Sequence, residues 1–72
     1  MIPIKMYWCE DVPTKDDIKQ AFDIVTNENV VVSIQWFVKY NGFHEKFVFK
    51  ETLEEYSPES YWEEVIPHIY GV

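Results

Sequence analysis

Asn41-Gly42 sits between two β-rich runs that alternate apolar and polar residues over positions 30–52. Nothing else in the chain restricts its folding as strongly. Asn-Gly is the preferred pair for a two-residue type I′ hairpin turn, because both central residues must take positive φ. The pattern predicts strands over about 30–40 and 43–53.

A two-residue turn fixes the register, and the register fixes the faces. Tyr40 would lie opposite Phe43, Val38 opposite Glu45, Trp36 opposite Phe47, Ile34 opposite Phe49 and Val32 opposite Glu51. The core face would then hold Val30, Val32, Ile34, Trp36, Val38 and Tyr40 with Phe43, Phe47, Phe49 and Leu53. The outer face would hold Val31, Ser33, Gln35, Phe37 and Lys39 with His44, Lys46, Val48, Lys50 and Thr52.

Upstream, residues 2–9 alternate in the same way and predict a third strand, with Ile4, Met6 and Trp8 inward and Lys5, Tyr7 and Cys9 outward. Between it and the hairpin, Ile18, Ala21, Phe22 and Val25 recur at helical spacing. Thr14 is a good N-cap, Asp17 three residues on completes a weaker capping box, and Asn27 or Asn29 ends the helix. A second helix begins at Ser57 as N-cap with Pro58 in its first position and Glu59 at the positive end of the dipole. Tyr61, Trp62, Val65, Ile66 and Ile69 share one arc, and Pro67 must end or kink the helix. The tail at 68–72 reads as an extended end or a broken turn.

The order βαββα predicts an α+β fold: a two-layer, mixed three-stranded sheet with two helices packed on one face. With 72 residues and no linker, repeat or low-complexity run, the chain reads as a single small domain over 1–72. Thirteen aromatic residues, 18% of the chain, are more than so small a core can bury, so some are expected to face a partner.

Chemistry is sparse. Cys9, His44 and His68 are the only candidates for nucleophile and base, and the acidic neighbours Glu10 and Asp11 oppose thiolate formation at Cys9. No His or Cys spacing suits a metal, and both glycines are used by the turn and the tail, which leaves no phosphate loop. The sequence therefore predicts no catalytic residue, no metal and no cofactor. A single cysteine favours a reducing compartment, so the cytoplasm is expected, and no run is long and apolar enough to span a membrane. The absence of Arg beside abundant Lys, Ile, Tyr and Phe suits AT-rich coding DNA of the kind found in low-GC bacteria and their phages.

The formal charge is −7, yet the expected outer face collects Lys5, Lys39, Lys46 and Lys50. Strand lysines of this sort keep a solvated sheet from pairing at its edges. Two functional readings stand beside that one. In the first, the protein is a non-enzymatic interaction module, binding itself as a homodimer or modulating a host protein. Phe37, Tyr40 and Phe43 at the hairpin tip form its contact, and Glu54, Glu55, Glu59, Glu63 and Glu64 form an acidic flank able to stand in for phosphates. In the alternative, Lys5, Tyr7, Phe37, Lys39, Lys46 and Lys50 bind single-stranded nucleic acid, the rings stacking bases and the lysines tracking phosphates. The net charge opposes this alternative at long range.

Overall fold

A computed structural model describes residues 1–67. The tail at 68–72, with His68 and Ile69, lies outside the described residues. The elements are β1 (Ile4–Cys9), α1 (Lys15–Glu28), β2 (Val31–Val38), β3 (Gly42–Val48), α2 (Lys50–Glu55) and α3 (Pro58–Glu64). The fold is α+β. Its mixed sheet has the order β1-β2-β3, with β1 parallel and β3 antiparallel to the central β2.

α1 forms where the stripe predicts, with Ile18, Ala21, Phe22 and Val25 all buried. Its capping box is complete: the Asp17 N–H donates to Thr14 Oγ1 at 3.2 Å and the Thr14 N–H to Asp17 Oδ2 at 2.9 Å. Asn29 ends the helix in the left-handed region at φ 53°, a conformation asparagine tolerates better than most residues. α3 starts as expected at Ser57, which exchanges hydrogen bonds with Ser60, and it stops three residues short of Pro67.

The core joins the α1 stripe to Val32, Ile34, Trp36 and Val38 of β2, Val48 of β3, and Tyr61 and Ile66 from the C-terminal part. Two bonds tie α3 down. The Tyr61 hydroxyl donates to the Phe47 carbonyl, and the Trp62 indole N–H donates to the Pro13 carbonyl, each at 2.9 Å.

The hairpin departs from expectation. Its loop is Lys39-Tyr40-Asn41, closed by the Asn41 N–H donating to the Val38 carbonyl at 3.0 Å. Positive φ falls on Tyr40 (73°) and Gly42 (85°) instead of on Asn41 and Gly42. Positive φ at only the third of four turn residues is the pattern of type II. Val38 now faces Gly42, Trp36 faces His44, Ile34 faces Lys46 and Val32 faces Val48. That is an odd shift from the type I′ register, so every side chain of β3 changes face.

The physical reason lies in two carboxylates. The type I′ register would set Glu45 and Glu51 on the core face, and burying an unpaired carboxylate costs more than one tyrosine held at positive φ. The observed register presents His44, Lys46 and Val48 instead, and the long apolar stem of Lys46 can run along the core while its ammonium reaches water.

β1 is reversed as well. Lys5, Tyr7 and Cys9 face α1, where Lys5 Nζ pairs with Glu28 at 3.1 Å and the Tyr7 hydroxyl reaches Asp17 Oδ1 at 2.9 Å. An edge strand beside the polar flank of a helix favours side chains with apolar stems and polar ends. Finally, β3 stops at Val48, and the expected strand end is helix α2, giving three helices among the described residues where two were expected. Phe49 begins it, its N–H donating to Thr52 Oγ1 at 3.2 Å.

Candidate interface on the open sheet face

Both reversals act on the same surface. The face pointing away from α1 carries Ile4, Met6 and Trp8 from β1, Val31, Ser33, Gln35 and Phe37 from β2, and Phe43, Glu45 and Phe47 from β3. Pairing sets them in rows: Met6–Ser33–Phe47, Trp8–Gln35–Glu45 and Phe37–Phe43.

Six of these residues, Ile4, Met6, Trp8, Phe37, Phe43 and Phe47, are large, apolar and 43–68% exposed. At about 200 Å² for a side chain of this class, they leave roughly 700 Å² uncovered, above the usual largest apolar patch of a monomer. Glu45 supplies the only ionisable group among the ten strand positions of this face.

Its polar centre is internally satisfied. Ser33 donates its hydroxyl to Glu45 Oε2, and Gln35 Nε2 reaches Ser33 Oγ at 3.0 Å and Glu45 Oε2 at 3.1 Å. Ser33 is buried at the middle of the sheet despite pointing to the open side. A serine and a glutamine that have already exchanged water for each other and for a carboxylate resist further desolvation less than free ones would.

The residues singled out in the sequence disperse. Phe37 and Phe43 come together across β2 and β3, although expected on opposite faces. Tyr40 stands apart in the loop, 93% exposed, with Lys39 Nζ 5.2 Å from its ring centre. Glu54 and Glu55 are exposed on α2, and Glu59, Glu63 and Glu64 are exposed on α3. They belong to the helices and not to the sheet face.

The expected lysine face does not form. Lys5 is paired with Glu28 on the helix side, Lys46 shares that side with Ile34, Lys39 lies in the turn, and Lys50 opens α2. Tyr7 is half-buried with its hydroxyl engaged by Asp17 and Gln20, a poor posture for stacking a base.

The helix side holds the ionisable groups with displaced titrations. Burial, with the nearby Asp17 carboxylate, pushes the Cys9 thiol up to about 12. Burial and the Asp17 bond likewise raise Tyr7 to about 12. Burial would raise Asp17 too, but bonds from Thr14, Tyr7 and Cys9 outweigh it and hold the carboxyl below its ordinary range. The sequence anticipated an unreactive thiol; the cause is this burial and Asp17 more than the adjacent Glu10 and Asp11. His44 stacks on buried Trp36 with ring centres 5.6 Å apart.

A groove of about 690 Å³ lies at the opposite end of the sheet from the hairpin loop, lined among others by Ile2, Val25, Val30, Phe49 and Leu53. Among the described residues, no cluster of His, Cys, Asp and Glu is placed to hold a metal, and no helix is long and apolar enough to cross a membrane.

Sequence reasoning missed Ile4, Met6, Trp8 and Phe47 as surface residues because it turned the apolar half of each strand inward. The signal that could have found them was the pair Glu45 and Glu51, which the favoured register would have buried. No protein-family model, curated protein or solved structure matches the chain.

Proposed function

We propose that this chain is a non-enzymatic, cytoplasmic protein-binding module that docks its partner through the open face of the sheet. The observation that carries the reading is the set Ile4, Met6, Trp8, Phe37, Phe43 and Phe47, exposed on one face around a hydrogen-bonded centre with a single charge. Water gains by leaving such a surface, and a patch of this size marks an interaction site more often than a solvated one. No observation favours the nucleic-acid alternative, whose lysines are spread over three regions of the molecule.

Gel filtration of the wild type and of a Met6→Lys, Phe37→Lys variant tests the proposal, each run alone and in a cell extract. The wild type is expected to elute above its 8.7 kDa monomer mass in at least one condition. The variant should elute as monomer in both, with an unchanged circular dichroism spectrum. A wild type that stays monomeric under both conditions rejects the reading.

A further inference from the structure

We infer that the occupant of the open face is a second copy of this chain, stacked sheet to sheet about a two-fold axis running along β2, with Trp8 of each copy over Glu45 of the other. The inference rests on the reading of the open face as a docking surface and specifies what docks there.

Area is the first argument. Roughly 700 Å² of uncovered apolar surface per copy is close to the roughly 800 Å² that each side of a standard protein interface contributes. Charge is the second. Among the ten strand positions of this face Glu45 is the one carboxylate, and no lysine occupies any of them. A basic partner would find its attraction on the helix side and an acidic one would find no cation here. Two copies of net charge −7 meet with least repulsion where their surfaces carry the fewest charges.

Hydrogen bonding selects the axis. Among the described residues, Glu45 Oε2 is engaged by Ser33 and Gln35 while Oε1 has no protein donor, and the Trp8 indole N–H has no protein acceptor. These two groups sit at the ends of one row, either side of Gln35. Rotation about β2 reverses each row onto itself, so Trp8 of one copy meets Glu45 of the other twice over. The same operation sets Met6 over Phe47 of the second copy, a favourable sulfur–aromatic contact. An axis across the strands instead sets Glu45 against Glu45 or Phe47 of the second copy, burying a carboxylate without a donor. Face-to-face sheets packed in the aligned mode about 10 Å apart accommodate the first arrangement.

The test is sedimentation equilibrium up to about 0.5 mM, a range in which even a dimer with a Kd of roughly 100 μM is visible. The wild type should be a dimer. Trp8→Glu, which sets two carboxylates face to face, should weaken it by about 100-fold or more. An equimolar mixture of Trp8→Glu chains with Glu45→Lys chains should recover a dimer containing one of each, because the exchanged charges then meet with opposite sign and the second Trp8–Glu45 contact is intact. Both positions are exposed, and circular dichroism verifies the fold of each variant.

A wild type that is monomeric alone but enters larger assemblies in cell extract overturns the self-pairing while leaving the docking surface in place. A dimer indifferent to Trp8→Glu, or one lost without recovery in the mixture, overturns it too, since its contact or its axis is then elsewhere. A monomer in every condition overturns the docking surface as well.

Discussion

Tyr40 shows what a single residue contributes against its own preference. Its φ of 73° is a left-handed conformation that costs a residue bearing a Cβ about 1–2 kcal/mol. Nothing in packing compensates locally, since the ring is almost wholly exposed. Replacing Tyr40 with Gly should therefore raise stability by roughly 0.5–1 kcal/mol, the relief being reduced by glycine's greater freedom when unfolded. Gly42→Ala should do the reverse by about 1 kcal/mol, for backbone reasons alone, because a Cβ there meets no atom within 4 Å. Urea midpoints of the two variants check both. At alkaline pH, Cys9, Tyr7 and Tyr61 act together, all raised to about 12 chiefly by burial. Each holds its proton more tightly folded than unfolded. The stability they contribute is thus intact below about pH 9, the ordinary thiol range, and is lost as the pH climbs toward 12. A urea midpoint that falls across that window is expected, and one that holds constant to pH 12 contradicts the burial of these groups.

Among the elements, those with chemical end-markers were legible and those resting on pairing were not. α1 and α3 announce themselves through Thr14-x-x-Asp17 and Ser57-Pro58, local signals that need no knowledge of the rest of the chain. Thr14→Ala should cost about 1 kcal/mol, with a fall in thermal midpoint but no change in the sheet's register. A loss well above that would show that the Asp17 network holds β1 as well as the helix, since Asp17 also accepts from Tyr7. The strands were found and the inward face of β2 with them, but the faces of β1 and β3 were not. Alternation fixes which residues share a side and is silent on which side is wet, and at Ile4, Met6 and Trp8 hydrophobicity pointed the wrong way. The turn misled because Asn-Gly is a preference worth about as much as a kilocalorie or two, which two carboxylates on the core face can outweigh. α2 was missed because six residues are too few for helical and strand periods to separate. The candidate surface was legible only in part: Phe37 and Phe43 were expected to meet a partner, whereas their four apolar companions were assigned to the core.

At the scale of the whole molecule, acids gather on helices and loops while the sheet exposes apolar surface, so salt becomes a discriminating variable. Raising ionic strength from about 20 to 300 mM shrinks the Debye length from roughly 20 to 6 Å, which should tighten self-pairing of two like-charged copies. Docking driven by a basic partner would weaken over the same range, and sedimentation at the two salt concentrations separates the cases. The parallel pairing of β1 with β2 carries a further consequence in time. β2 and β3 are joined by three residues and can zip within microseconds, whereas Ile4 reaches Val31 only after the whole of α1 has been folded back. Closure of that long loop makes the pairing of β1 slower than formation of the hairpin. The three open-face residues of β1 therefore join the face after the hairpin has formed, and a partner that needs both parts binds only chains in which β1 has docked.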